Sequence, residues 1–294
     1  MFKGSITALV TPFKDGRVDE KAYKSLIEFQ IEGGTNGLVP CGTTGESATL
    51  THEEHKRVIE LTIEAASGRV PVLAGTGSNS TAETIQLTRH AEASGASAAL
   101  IITPYYNKPS QQGLYEHYKK ISEEVSIPII LYNVPGRTSL NMAPETVARL
   151  SELKNIVGIK EATGDLKQVS EVIEYSKDGF GVLSGDDFVT VPMLAIGAVG
   201  VISVTANIVP GEMSKMVNGF MEGRTKEAIE LHYRLSALHR SMFIETNPVP
   251  VKTALAMMGR IEEEFRLPLV RISDANRAAL LGALKTYGLG ITKV

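Results

Sequence analysis

A lysine at the end of an apolar run has the widest chemical reach of any residue in this chain. Residues 155–161 read Asn-Ile-Val-Gly-Ile-Lys-Glu, a short strand pattern that ends at Lys160 and Glu161. Side chains alternate along a strand. Gly158 and Lys160 are therefore expected on one face, with Val157, Ile159 and Glu161 on the other. Gly158 is read as leaving room beside the lysine stem. Burial of an unpaired ammonium is costly, and desolvation lowers a lysine pKa. The neutral amine so formed attacks carbonyls and makes a Schiff base. On this fragment alone two readings stand: a nucleophilic Lys160, or a lysine whose stem packs on apolar surface while its head reaches water.

Other reactive side chains follow other apolar runs. Cys41-Gly42-Thr43-Thr44-Gly45-Glu46-Ser47 offers two hydroxyls and free amides between glycines that allow close backbone approach. It fits a carboxylate cradle, and it also fits an ordinary turn that caps a helix. It is not a P-loop, because the terminal Gly-Lys-Ser/Thr is missing. Thr103–Pro109 sets Tyr105 and Tyr106 between prolines, so either is an acid/base group or an aromatic packed at an interface. Residues 131–138 place Tyr132 at a strand end. Arg137 follows with a planar fork suited to a carboxylate or to a surface ion pair. Ser184-Gly185-Asp186-Asp187 and Gly200-Val201-Ile202-Ser203 close the series. A nucleophilic amine, relay hydroxyls and a carboxylate binder form a set that needs no metal. The six histidines make no triad or zinc set: His52 and His55 are three apart, not the four of H-E-x-x-H. Cys41 reads as a small buried residue rather than a nucleophile.

The elements that must hold these groups are visible as punctuation. Apolar runs occur at Ile6–Val10, Gly37–Pro40, Val70–Ala74, Ala98–Thr103, Pro128–Asn133, Ile156–Lys160, Gly181–Ser184 and Gly200–Val204. Most are continuously apolar, as strands covered on both faces are. Helical patterns lie between them. One follows Asp19, with Tyr23, Leu26, Ile27 and Gln30 in step and Gly33-Gly34 as its stop. Thr51–Glu54 and Ser80–Glu83 fit capping boxes, and Pro144 fits a first helical turn. Eight alternating units predict a (β/α)8 barrel. An open doubly wound sheet is the alternative, but no G-x-G-x-x-G follows the first run. The eighth helix is expected near Gly211–Gly223. Beyond it, helical patterns near 225–242, 251–258 and 273–287 predict a C-terminal helical extension and a candidate assembly surface. In such a barrel the chemistry sits at the C-terminal ends of the strands, where these residues fall.

Composition narrows the class. The 294 residues are 43% hydrophobic and 21% charged, with a formal net charge of -3. That suits a globular chain with an ample core. No basic stripe points to nucleic acid, and no run is long enough for a bilayer. The N-terminus runs almost directly into a strand pattern without the apolar region of a signal peptide. With one cysteine, this points to the cytoplasm.

Four motifs together resemble the dihydrodipicolinate synthase family, among the pyruvate-dependent class I aldolases and lyases: Gly42–Ser47, Tyr105–Asn107, Tyr132–Thr138 and Gly158–Ala162. The resemblance spans Gly4 to Leu289. It implies a (β/α)8 barrel with a C-terminal helical domain, which the patterns above place at residues 1–223 and 224–294, and a homotetramer built as a dimer of dimers. It implies a lyase without a cofactor that condenses pyruvate with L-aspartate 4-semialdehyde, in lysine and diaminopimelate synthesis. By resemblance, Lys160 forms the imine and Thr43 and Thr44 hold the pyruvate carboxylate. Thr44, Tyr132 and a neighbouring subunit's Tyr106 relay protons, and Arg137 binds the semialdehyde carboxylate. Gly185 and the Ile202 carbonyl line the pocket. Lysine-sensitive relatives bind the inhibitor at positions matching Ser47, Ala48, His52, His55, Asn79, Glu83 and Tyr105, so feedback by L-lysine is expected. Glu83 suits an ammonium, although it also fits the cap at Ser80. Two other functions fit parts of the pattern: a sialic acid or 2-keto-3-deoxy-sugar lyase, and a catalytically silent barrel that binds lysine or a 2-oxo acid. The tyrosine–arginine pairing is not expected of the sugar lyases, and a silent barrel needs no nucleophilic amine.

Overall fold

The structure, a computed structural model, describes residues 2–293. The apolar runs form eight strands: β1 (Gly4–Ala8), β2 (Gly37–Val39), β3 (Leu73–Gly75), β4 (Ala98–Ile102), β5 (Ile129–Asn133), β6 (Ile156–Glu161), β7 (Gly181–Ser184) and β8 (Gly200–Ser203). They pair in parallel in the order β2-β1-β8-β7-β6-β5-β4-β3. A single bridge between Leu38 and Val72 brings the two edges together, so the sheet is a nearly closed barrel. A two-stranded hairpin, Phe13–Lys14 with Arg17–Val18, precedes the first helix and was not anticipated from the sequence.

The helices are α1 (Glu20–Glu32), α2 (His52–Ala66), α3 (Thr81–Ala93), α4 (Gln111–Glu124), the single turn α5 (Pro135–Thr138), α6 (Pro144–Ser151), α7 (Leu166–Tyr175), α8 (Thr190–Ala195), α9 (Pro210–Met221), α10 (Thr225–Ser241), α11 (Val249–Met257) and α12 (Asp274–Tyr287). Their starts carry the expected signals. Asp19 caps α1, Pro144 opens α6, and Thr51 and Glu54 form a reciprocal capping box on α2. The second expected box is half made. Ser80 accepts the Glu83 N–H, but the Glu83 carboxylate turns to the Ser78 hydroxyl and to His52. The Ser80 N–H bonds the Ser78 hydroxyl instead, at 3.1 Å.

Barrel interior and barrel shell are distinct layers. Ile6, Leu73, Ala98, Ile130, Leu183 and Ile202 fill the interior, while a separate cluster joins β4–β6 to α4, α6 and α7. The expected alternation along β6 holds for Ile159, which faces the shell, but not for Val157. The register shifts between Ile129 and Ile130, so that Ile129 pairs with Ile156 and Ile130 with Gly158. Val157 is the extra residue of this bulge and packs on the interior cluster instead. Helices α10, α11 and α12 share one apolar cluster with α8 and α9. Among the described residues no helix is long and apolar enough to cross a membrane.

One buried ion pair fastens the C-terminal helices to the barrel. Lys252 of α11 meets the carboxylate of Glu46, in the loop after β2, with both side chains buried. Lys252 also lies 4.2 Å from the centroid of the Phe13 ring. Burial pulls its pKa down, and Glu46 pulls it back up. Removing one partner of such a pair leaves an uncompensated buried charge. Lys252→Met should cost about 3–5 kcal/mol, and adding Glu46→Gln should recover most of that loss. Denaturant midpoints of the two variants check it; equal loss in both would mean that packing, not charge, is at stake.

Burial also sets how stability responds to acid. His117, wedged between α3 and α4 with its Nδ1 on the Thr81 hydroxyl at 2.9 Å, is pushed down from 6.5 to about 4 by desolvation. Its depressed pKa means the unfolded chain takes up a proton before the folded one does. Stability from this group is therefore complete above pH 6.5 and falls as pH drops toward 4. Raised carboxylates elsewhere act in the opposite sense, so the difference from His117→Asn isolates the effect. Stability curves of the two proteins should converge by up to about 3 kcal/mol between pH 7 and pH 4.

Candidate active site

Lys160 projects into the barrel from β6, register-paired with Tyr132 on β5. Its nitrogen stands 4.2 Å from the centroid of the Tyr132 ring, and no carboxylate pairs with it among the described residues. The lysine is buried at 6% exposure, so its head does not escape to water as the packing-only reading requires. Room for its stem comes from Gly185, not from Gly158. A Cβ on Gly185 would come 3.1 Å from Lys160 Cε, whereas one on Gly158 would strike the Gly181 carbonyl oxygen at 2.5 Å. Gly158 is thus required by close approach of β6 to β7, and Gly185 by the lysine.

Thr43 and Thr44 occupy the short 3₁₀ turn Thr43–Gly45 at the end of β2. Two non-glycine residues in the left-handed region bracket that turn: Cys41 at φ 54° and Glu46 at φ 53°. Such conformations persist only when the surroundings over-determine them. For Glu46 the surroundings are Lys252 and the Arg266 N–H; for Cys41 they are the barrel-shell cluster and the His55 carbonyl. Burial raises the Cys41 thiol far above its ordinary pKa, which keeps it protonated and unreactive.

Thr43, Thr44, Tyr132, Arg137, Lys160 and Gly185 line one cavity of about 160 Å³. Arg137 sits in α5, and its Nη2 donates to the Asn247 carbonyl at 3.1 Å. The Asn247 side chain donates to Thr44 Oγ1 at 3.0 Å. One residue between α10 and α11 thereby touches both ends of the cavity. Sequence reading missed it: Asn-Pro marks a turn, but nothing local ties it to a threonine 203 positions away. Asp186 and Phe243 line the same cavity and were also missed as site residues. The Ile202 side chain is buried in the interior layer, and Val204, just past the end of the same strand, lines the cavity.

Tyr106 is absent from this cavity. It is 91% exposed at φ 71°, while Tyr105 is 38% exposed beside it. On the outer face of β6, Glu161 is buried, and no cation pairs with it among the described residues. Desolvation raises its pKa, and hydrogen bonds from Asn133, the Thr163 N–H and Gln168 oppose the rise.

A second cavity, about 430 Å³, is lined by Ser47, Ala48, His52, His55, Glu83 and Tyr105. Asn79 stands at its edge, donating to the Tyr105 carbonyl at 3.2 Å. His52 Nε2 lies 3.0 Å from Glu83. Desolvation lowers the His55 pKa to about 4, so that ring is neutral at ordinary pH. Thr43, Tyr132, Arg137 and Asn247 line both cavities.

The chain is 60% identical over 289 residues to the 4-hydroxy-tetrahydrodipicolinate synthase of Thermodesulfovibrio yellowstonii, covering 98% of this chain and 99% of that one. Its fold matches the chloride-inhibited dihydrodipicolinate synthase of Acinetobacter baumannii, solved with pyruvate, at a TM-score of 0.97 and 48% identity, covering 99% of this chain and 100% of that one. It also matches the enzyme of Cyanidioschyzon merolae solved with lysine bound, at a TM-score of 0.95 and 39% identity, covering 98% and 99%. Residues 1–287 match the dihydrodipicolinate synthetase family as a whole, and the chain, with its barrel lysine and hydroxyl-lined cavity, belongs to that family.

Proposed function

We propose that this enzyme condenses pyruvate with L-aspartate 4-semialdehyde to give 4-hydroxy-tetrahydrodipicolinate, through a Schiff base on Lys160. The observation that carries the reading is a buried lysine without a counter-ion, stacked on Tyr132 in a cavity shared with two threonines and an arginine. The Lys160 amine attacks C2 of pyruvate, water leaves, and the imine draws electrons from C3 as a proton departs. The resulting enamine attacks the aldehyde carbon. The amine of the adduct then adds at C2, and Lys160 leaves as the ring closes. Thr43 and Thr44 hold the pyruvate carboxylate with hydroxyl and amide groups. The carboxylate of the second substrate meets the Arg137 fork.

The proton path runs through Thr44 and Tyr132 and is completed by Tyr106 of the partner subunit. The exposure of Tyr106 supports this assembly: a strained, solvent-facing tyrosine beside a second exposed tyrosine suits a contact between copies. A homotetramer built as a dimer of dimers, with residues 1–223 as barrel and 224–294 as helical domain, fits that role. The buried lone thiol of Cys41 fits a cytoplasmic setting. We further propose that L-lysine binds in the larger cavity and inhibits. Glu83 offers a carboxylate to its ammonium, and that cavity shares a wall with the site of the chemistry.

Borohydride added to protein incubated with pyruvate should reduce an adduct onto Lys160, mapped by mass spectrometry, and Lys160→Ala should give none. No adduct on the folded protein would sink the Schiff-base reading. Arg137→Ala should leave trapping intact and lower kcat/KM for the semialdehyde by about 100-fold, the scale of a lost charge-assisted pair. Calorimetry should show lysine binding at or below millimolar concentration, weakened by Glu83→Gln. Absence of both heat and inhibition would remove the regulatory site.

A further inference from the structure

Asp186 is the one acidic side chain lining the cavity that holds Lys160 and Arg137. It follows Gly185 at the end of β7, and its backbone is held firmly. Its N–H donates to Ser184 Oγ at 3.2 Å, and its carbonyl accepts from the Ser184 and Thr190 hydroxyls at 2.7 and 3.0 Å. Its side chain makes one hydrogen bond, with Oδ1 accepting the Phe188 N–H at 2.8 Å. Oδ2 has no protein partner, and no lysine or arginine pairs with the group among the described residues. Burial raises its pKa, and the neighbouring Asp187 raises it further. A half-buried carboxylate is costly when left unpaired, yet neither Lys160 nor Arg137, which line the same cavity, forms an ion pair with it. Asn247 Oδ1, also buried and unpartnered, lines the same space.

The second substrate resolves this imbalance. It carries a carboxylate and an ammonium on one carbon. If Arg137 takes the carboxylate, the ammonium must find its acceptor within the same cavity of about 160 Å³. We infer that Asp186 binds the ammonium group of the second substrate and makes the enzyme select an amino-bearing aldehyde acid over its deamino counterpart. The inference rests on the pyruvate–semialdehyde reading above and adds a specificity residue to it. A site built around a charged hydrogen bond rejects an analogue that lacks the partner, because its own group is then left buried and unpaired.

Asp186→Asn keeps the shape and the oxygen that accepts the Phe188 N–H but removes the charge. The variant and the unaltered enzyme are each given three measurements: borohydride trapping of pyruvate, KM for L-aspartate 4-semialdehyde, and the inhibition constant of 4-oxobutanoate, the same aldehyde acid without its amino group. Trapping reports that the fold and Lys160 are intact. The KM for the amino substrate should rise about 10- to 100-fold. The constant for 4-oxobutanoate should move by less than about twofold, as it has no ammonium to lose. Equal weakening of both ligands would overturn the inference and leave Asp186 as a turn cap only. No change in either would also overturn it. Failure of the unaltered enzyme to trap pyruvate would instead strike the reading beneath, and the two failures are told apart by that arm.

Discussion

A carboxylate and an ammonium buried against each other, Glu46 and Lys252, hold the loop that carries Thr43 and Thr44. The loop needs such a hold. Its turn is flanked by Cys41 and Glu46, both in a backbone region that side chains with a Cβ rarely occupy. A free loop would relax from it. Arg266 strengthens the clamp: it grips Glu54 at the start of α2 through two bonds of 2.6 Å, and reaches the carbonyls of Thr49 and Gly16. The C-terminal helices therefore contribute rigidity to the site as well as covering it. Asn247, carried by the same segment, touches Thr44 and Arg137 directly. A barrel of eight strands supplies the lysine, but the geometry around the lysine is set from outside the barrel.

Strand β6 shows how one element keeps two charged residues out of water by different means. Lys160 faces inward, where Tyr132 offers only a ring and Gly185 only space. Glu161 faces outward into neutral donors, Asn133, Gln168 and the Thr163 N–H. Among the described residues, neither Lys160 nor Glu161 forms an ion pair. Had Glu161 fallen on the interior face, it would have set a carboxylate beside Lys160. The bulge at Val157 fixes which face each residue takes, because a one-residue slip exchanges the faces of the whole strand.

The barrel was legible because buried parallel strands write themselves as apolar runs, and all eight appear where those runs lie. The C-terminal helices were legible from periodicity, within two residues of their ends. Lys160, Tyr132, Thr43, Thr44 and Arg137 were legible as strand-end residues on a fold that does chemistry there, and the structure brings them to one cavity. What escaped the sequence were relations across space. The part assigned to Gly158 belongs to Gly185, because strand spacing, not alternation, decides which glycine faces the stem. Val157 was placed on the wrong face because a bulge leaves no mark in one strand alone. Glu83 was read as a cap for Ser80, but Ser78 and His52 compete for its carboxylate and win. Asn247 carried no local signal beyond turn formation, and Asp186 stood in the strand-end run Ser184–Asp187 without a role of its own.

A common wall gives the two cavities a physical means of influencing each other. Thr43, Tyr132, Arg137 and Asn247 line both, so a ligand that shifts any of them from one side alters the other. Coupling of this kind is reciprocal: if lysine in the larger cavity weakens binding at Lys160, a substrate on Lys160 weakens lysine by the same factor. The route needs no long-range wire, since the same residues line both cavities. It also explains why rigidity matters here. A wall that yielded freely would absorb the displacement locally, whereas one pinned through Asn247 to Thr44 and to Arg137 passes it on to both groups at once. The same hydrogen bonds that hold the geometry of the site then join the walls of both cavities.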